Sequence, residues 1–103
     1  MSLELEAQDV IALVERYREF LTSRKIGTTL VSGDRKGIDM GLEEVLEHCH
    51  AMLDEILDDL ENGGKPGPAR IRLAFVEGCL WARGLFSLDE IHAHSAFAIL
   101  RNP

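Results

Sequence analysis

The segment from residue 37 to residue 64 constrains the fold more than any other part of this chain. It contains nine acidic residues and neither lysine nor arginine. Between the acids runs an apolar stripe with alternating spacings of four and three residues: Leu42, Leu46, Cys49, Leu53, Ile56 and Leu60. That spacing is typical of a helix with one continuous apolar face. The sequence therefore predicts a long helix that is apolar on one side and anionic on the other.

Three other segments also show helical patterns. Apolar residues recur at helical spacing before Gly27 and again after the break Asn62-Gly63-Gly64-Lys65-Pro66-Gly67-Pro68. A capping box, Ser87 with Glu90, opens a short last helix. We expect helices at about residues 6–24, 39–61, 69–83 and 87–99. Asp39 is the expected N-cap of the second helix, and Gly27 the expected stop of the first.

These elements define the fold class. The 103 residues, 46% of them apolar, suffice for one modest core, so residues 1–103 form a single helical domain. We predict an all-α fold: a small helical bundle of three main helices plus a short C-terminal helix. The short link after Glu61 makes helices 2 and 3 an antiparallel hairpin. In helix 3, Ile71, Phe75, Gly78 or Cys79, and Ala82 share an apolar face, and Trp81 is expected to be buried, with an exposed anchor as the alternative.

The compartment is inferred from what the sequence lacks. No run approaches the roughly 18 apolar residues of a membrane helix. The first four residues, Met-Ser-Leu-Glu, do not have the basic and apolar regions of a signal peptide. We therefore expect a cytoplasmic protein without a membrane partner. Cys49 and Cys79 lie in predicted helices without a CxxC spacing, which favours buried free thiols, with a disulfide between facing helices as the alternative.

The charge distribution suggests a partner. The net charge is −7, and the acidic segment alone carries more negative charge than the whole chain. Direct binding to nucleic acid is therefore disfavoured, and a basic protein surface is the natural complement. The leading hypothesis is a non-enzymatic protein-interaction module that binds a basic partner through the acidic face of helix 2. Its predicted partner-binding residues are Glu43, Glu44, Glu47, Asp54, Glu55 and Asp58.

A homodimer is also expected. Three amphipathic helices in so short a chain leave much apolar surface to cover. The small residues Ala74, Gly78 and Ala82 form a stripe that would let another helix approach closely. The predicted dimer seam on helix 2 consists of Leu42, Leu46, Leu53, Ile56 and Leu60.

Catalytic and metal-binding patterns are not evident. The histidines occur as two pairs, His48 with His50 and His92 with His94, and residues two apart on a helix point in different directions. No nucleophile stands in a recognisable arrangement with a base. We therefore assign no catalytic residue, metal site or cofactor from these residues.

One acidic pattern nevertheless gives an enzymatic alternative. Glu43-Glu44-x-x-Glu47 followed by Glu55-x-x-Asp58 resembles the paired motif of all-α nucleoside triphosphate pyrophosphohydrolases of the MazG type. The resemblance implies a Mg²⁺-dependent enzyme whose carboxylates hold the metal on two successive helices. Here only seven residues separate the two halves, so both fall on one helix. From Glu44 to Asp58 they span about 21 Å at 1.5 Å per residue, which is too far for one ion.

A second resemblance covers residues 73–91. The run Gly-Cys-Leu-Trp-Ala-Arg-Gly-Leu-Phe-Ser-Leu-Asp-Glu-Ile within it resembles the C-terminal part of many small helical phage and prophage proteins. The resemblance implies a viral or prophage origin and no activity.

Overall fold

The computed structural model describes the backbone of residues 6–101 and the side chains of residues 6–96. Its helices are α1 (Ala7–Ser23), α2 (Leu42–Glu61), α3 (Pro66–Ala82) and α4 (Leu88–Arg101), with a short 3₁₀ turn at Gly37–Asp39. No strand forms within that range. The predicted all-α bundle of three main helices and a shorter fourth is confirmed. Among the helices of the described range, none has the length and apolar character needed to cross a membrane.

Packing centres on α1, α2 and α3. Helix α1 packs against both members of the α2–α3 hairpin, while α4 lies mainly against α1. The fully buried core draws side chains from all three helices: Val10, Leu13, Val14, Tyr17, Leu21, Cys49, Leu53, Ile56, Leu73, Val76 and Leu80. Each large apolar side chain contributes about 1.5–3 kcal/mol on burial, before conformational entropy is counted. The mutual burial of three apolar faces is therefore what holds the helices together.

The residues predicted to form a dimer seam lie mostly inside one copy of the chain. Leu46, Leu53, Ile56 and Leu60 are buried in the core, and only Leu42 is largely exposed. Helices α1 and α3 together supply enough apolar surface to cover the α2 stripe. This seam is therefore occupied within the single copy, and a dimer contact would have to use other residues.

Two helix starts differ from expectation. Helix α2 begins at Leu42, three residues later than predicted, because Met40 and Gly41 are extended and Asp39 lies in the 3₁₀ turn instead of capping the helix. Helix α3 begins at Pro66, three residues earlier than predicted. Its first turn contains both Pro66 and Pro68, where the missing N–H groups cost nothing because those positions have no intrahelical partner.

Helices α1, α2 and α3 end in the same hydrogen-bond pattern, the Schellman motif. The residue after each C-cap has a positive φ: 60° at Lys25, 91° at Gly63 and 78° at Gly84. The following residue returns an N–H to a carbonyl one turn earlier, as Ile26 does to Leu21 at 3.0 Å. Gly63 and Gly84 adopt this conformation freely, whereas Lys25 is strained there. The expected stop at Gly27 is thus two residues too late.

We predict that Lys25→Gly stabilises the protein. The left-handed conformation costs a non-glycine residue about 1–2 kcal/mol, and glycine's greater freedom in the unfolded chain returns about 0.5–1 kcal/mol of that. The net gain should be about 0.5–1 kcal/mol in the free energy of unfolding, measured with urea. Gly84→Lys is the matched control and should lose a similar amount, because a Cβ at Gly84 meets no atom within 4 Å. Destabilisation by Lys25→Gly would contradict the assignment.

Candidate functional site

The connector, residues 24–41, is held against α2 by two histidines. The backbone N–H of Val31 donates to Nδ1 of His48 at 3.1 Å, so this ring carries its proton on Nε2. Nδ1 of His50 lies 2.9 Å from the carbonyl oxygen of Ile26, to which it donates, so this ring carries its proton on Nδ1. The two histidines therefore fasten two different points of the connector, and neither is free to act as a base at these nitrogens.

Arginines fasten the far end of the connector. Arg83, the C-cap of α3, donates to the carbonyl oxygens of Gly37 and Met40, both at 2.9 Å. Arg35 reaches back to Glu44 on α2 at 3.1 Å. Because these contacts reach both α2 and α3, the connector spans the groove between the two helices.

The acidic face of α2 is partly neutralised by the protein's own arginines. Glu47 accepts a hydrogen bond from Thr29 at 3.1 Å, whereas Glu43 and Asp58 are exposed and make no ion pair with any described residue. Both members of each ion pair are partly exposed, so each pair contributes only about 0.2–1 kcal/mol. The three ion pairs are Arg18–Asp54 at 2.7 Å, Arg35–Glu44 at 3.1 Å and Arg72–Glu55 at 3.0 Å. Three of the six predicted partner-binding residues are therefore ion-paired within the chain, and Glu47 is a fourth that accepts a hydrogen bond there.

The carboxylates that resemble a pyrophosphohydrolase motif all lie on α2, as their spacing predicts. Glu44 and Glu55 point to separate arginines on the connector and on α3. Within the described part of the chain, no three His, Cys, Asp or Glu side chains come close enough to hold a metal ion together. The structure therefore does not gather these acids into one site.

Helix α3 carries a second apolar face, which points away from the core. The core side uses Leu73, Val76 and Leu80, so the prediction that Trp81 is buried is wrong. The opposite side, which we call the α3 outer face, consists of Ile71, Ala74, Phe75, Gly78, Trp81 and Ala82, all of them exposed. Ile71 is 74% exposed, Phe75 54% and Trp81 50%. The face contains no charged or polar side chain, which sets it apart from the outer surface of α2.

Sequence reasoning recognised Ala74, Gly78 and Ala82 as a stripe that another helix could approach, but it assigned Trp81 to the core. Ile71, Phe75, Gly78 and Ala82 were expected to share an apolar face, and they do. A second apolar row at Leu73, Val76 and Leu80 is the one that packs inward. The signal that could have revealed this is that α3 has two apolar rows, which are separated by its charged residues Arg70, Arg72 and Glu77.

A buried polar cluster links α1, α3 and α4. The hydroxyl of Tyr17 donates to Oε2 of Glu77 at 2.8 Å and lies 3.0 Å from Nδ1 of His94. Because the single phenolic proton goes to Glu77, Nδ1 of His94 must be the donor to the phenolic oxygen. The ring of Phe86 packs edge-on against both Tyr17 and His94. This cluster is a polar connection of α4 to the rest of the bundle.

Burial shifts the pKa of each group in the cluster towards its neutral form. Burial, aided by the nearby charge of Glu77, raises the pKa of Tyr17. Burial also raises the pKa of Glu77, although the Tyr17 hydrogen bond and His92 oppose the change. The pKa of His94 is lowered, first by burial and then by Arg16, with Glu90 acting in the opposite direction. Tyr17 already donates its one proton and is held as the neutral phenol. The cluster therefore holds α1, α3 and α4 together and does not act as a proton relay.

Comparisons with known proteins identify no relative. The chain matches no family model, no curated protein and no solved structure. The resemblances of residues 43–58 and 73–91 therefore stay predictions from the sequence.

We predict that Tyr17→Phe destabilises the protein by about 1–3 kcal/mol. The substitution keeps the ring but leaves the buried groups of Glu77 and His94 without their shared partner. Urea unfolding monitored by circular dichroism measures the loss. Glu77→Gln is the control: an amide oxygen still accepts from Tyr17, so its cost should be smaller. An unchanged unfolding free energy for Tyr17→Phe would show that the cluster contributes nothing.

We predict that His94 makes the protein less stable as the pH falls below about 6.5. The folded state lowers the pKa of His94, so below the ordinary histidine value the unfolded chain binds more protons than the folded protein. Stability from this residue is therefore fully present above about pH 6.5 and is lost as the pH falls through the lowered value. The test compares unfolding free energies from pH 7.5 to 5.0.

His94→Gln should be less stable at neutral pH but should lack this part of the pH dependence. His92→Gln is the comparison, because His92 is exposed on the same helix and acts on Glu77 without taking part in the Tyr17–His94 contact. This variant should keep the part of the pH dependence that comes from His94. A His94→Gln profile parallel to that of the wild type would refute the assignment.

Proposed function

We propose that this protein is a non-enzymatic protein-interaction module that assembles into a homodimer through the α3 outer face. The observation that carries the proposal is the exposure of Ile71, Phe75 and Trp81 on one uncharged helix face. Contiguous exposed apolar patches on soluble proteins mark binding surfaces more often than isolated apolar residues do. Helix α3 has two apolar faces, and a single copy covers only the one that packs into the core.

A second copy of the same chain suits this face for an electrostatic reason. With a net charge of −7, most surfaces of two copies repel each other. The α3 outer face contains no acidic residue, so two copies can meet there without placing like charges in contact. A two-fold symmetric contact brings the same patch of each copy together, which requires a patch that complements itself.

The shape of the face meets that requirement. Large side chains (Ile71, Phe75 and Trp81) and small ones (Ala74, Gly78 and Ala82) share the same side of α3. Two such helices can place the large residues of one against the small residues of the other at close approach. Gly78 lies at the centre, and a Cβ added there meets no atom of its own chain within 4 Å.

The expected affinity is modest. A two-fold contact covers the three large side chains of each copy, which are half to three-quarters exposed, and this contributes on the order of 5–11 kcal/mol for the dimer. Association costs at least about 4 kcal/mol in lost translational and rotational freedom, and ordering the side chains costs more, so only a few kcal/mol remain. We therefore expect a dimer that dissociates on dilution, with a Kd between roughly micromolar and millimolar values.

The C-terminal end of α2 supports a second contact, with a basic partner. Asp58, Asp59 and Glu61 crowd a helix end whose dipole disfavours anions, and α2 has no basic residue in its last turn. These acids form no ion pair within the described residues, unlike Asp54 and Glu55. The basic partner expected from the sequence is therefore proposed to meet this end of the helix, where the local charge is least compensated.

The dimer is tested with Gly78→Glu. This substitution puts a charge at the centre of the α3 outer face, so it should prevent dimerisation. It should also stabilise the single copy by up to about 1 kcal/mol, because glycine is unfavourable inside a helix. Light scattering and sedimentation from ten micromolar to one millimolar should show a concentration-dependent mass for the wild type and a monomer mass for Gly78→Glu. Loss of the dimer together with higher thermal stability excludes misfolding as the cause.

Two control variants distinguish the effect of the α3 outer face from that of the acidic end of α2 and from that of an added charge elsewhere. Leu30→Glu introduces the same charge at a half-exposed apolar residue of the connector and should leave the dimer intact. Replacing Asp58, Asp59 and Glu61 by lysine should also leave the dimer intact but should abolish salt-sensitive binding to a basic partner protein. A wild type that is monomeric at one millimolar, or a dimer that survives Gly78→Glu, would overturn the assignment of the α3 outer face.

A further inference from the structure

A small cavity lies where the connector crosses the groove between α2 and α3. Its volume is about 240 Å³, and its walls include Val31, Met40, His48, Cys49, Phe75 and Cys79. Both cysteines of the chain therefore line this cavity. It has room for a small molecule only, since drug-sized ligands fill roughly 300–1,000 Å³.

The two cysteines differ in exposure. Cys49, on α2, is fully buried, whereas Cys79, on α3, is partly exposed, and both are free thiols. The sequence led us to expect two buried free thiols, and Cys79 departs from that. Since both side chains line one cavity, a reagent that reaches Cys79 finds the second sulfur close by.

The surroundings of the two cysteines shift the pKa values of their thiols in opposite directions. A hydrogen bond from the Cys49 thiol, with help from the nearby Arg83 guanidinium, lowers the pKa of Cys79 to about 7 although burial opposes this. The same interaction and burial raise the pKa of Cys49. At neutral pH a large fraction of Cys79 is therefore the nucleophilic thiolate, while Cys49 keeps its proton.

We propose that Cys79 and Cys49 form an oxidation site for a small uncharged hydroperoxide, in which Cys79 is the attacking thiolate and Cys49 the resolving thiol. Three features of the structure carry this assignment: the shared cavity, the partial exposure of Cys79 and the burial of its partner. The largely apolar walls favour a neutral reagent over a charged disulfide such as glutathione disulfide.

The chemistry proceeds in two balanced steps. The Cys79 sulfur attacks one peroxide oxygen, an S–O bond forms, the O–O bond breaks, and the departing alkoxide takes a proton from water to leave as the alcohol. Cys79 is then a sulfenic acid, oxidised by two electrons, and the peroxide is reduced. The Cys49 sulfur attacks that sulfur, an S–S bond forms, the S–O bond breaks, and the hydroxyl leaves with the Cys49 proton as water.

The test follows the wild-type protein after treatment with tert-butyl hydroperoxide. Intact mass should decrease by two hydrogens, and peptide mapping should find one disulfide that joins Cys49 to Cys79 within a single chain. Cys49→Ser should instead accumulate the Cys79 sulfenic acid, which dimedone traps. Cys79→Ser should not react over the same period, because the remaining thiol is buried. Circular dichroism checks that each variant is folded.

A second measurement needs no oxidant. The rate of Cys79 alkylation by iodoacetamide, followed against pH in the wild type, should reach half its plateau near pH 7, and Cys49→Ala, which removes the hydrogen-bond donor, should move that midpoint upwards. Should a cysteine variant fail to fold, the wild-type mass, peptide map and alkylation profile still decide. Two free thiols after treatment, a disulfide only between chains, or an alkylation midpoint near pH 9 would each overturn the proposal.

Discussion

The burial of the α2 apolar stripe is the constraint on which the rest of the structure depends. Exposing the aligned side chains of Leu46, Leu53 and Ile56 to water would be unfavourable, so both α1 and α3 pack against this side of α2. Those two helices then use their own best apolar rows, and α4 is left to pack mainly against α1. With so few helices, one element must keep an uncovered side, and α3 is the one that does. The α3 outer face is thus the apolar surface that a bundle of so few helices leaves uncovered.

The polar side of α2 serves the fold as much as it serves solubility. Glu44, Glu47, His48 and His50 each hold a point of the connector or of its arginines. Without those contacts a glycine-containing loop of this length would have little reason to stay across the α2–α3 groove. Because the connector stays there, it covers the groove. The space between the connector and the two helices is the cavity lined by Cys49 and Cys79. The acids that looked like a docking surface in the sequence therefore also shape a different site.

Sequence patterns predicted the features that depend on contacts between residues close together in the chain. The stripe spacing predicted α2, and the Ser87–Glu90 capping box forms with both of its hydrogen bonds. Periodicity could not decide which of two apolar rows of α3 packs inward, because that choice depends on its neighbours. The contact of Tyr17 with Glu77 joins residues 60 apart, and Arg18 meets Asp54 across 36 residues. No sequence spacing encodes such pairings, and for the same reason the sequence could offer a contact between Cys49 and Cys79 only as an alternative.

The proposed dimer surface and the cavity that holds the two cysteines share one residue. Phe75 belongs to the α3 outer face and also forms part of the cavity wall, and its ring lies edge-on to His48, 6.5 Å between centroids. His48 in turn holds the connector through Val31. A second copy on the α3 outer face, as proposed, would press on a side chain that shapes the space around Cys79. The two proposals together therefore predict that dimer formation changes the reactivity of Cys79 through the position of Phe75, although each proposal rests on its own observations.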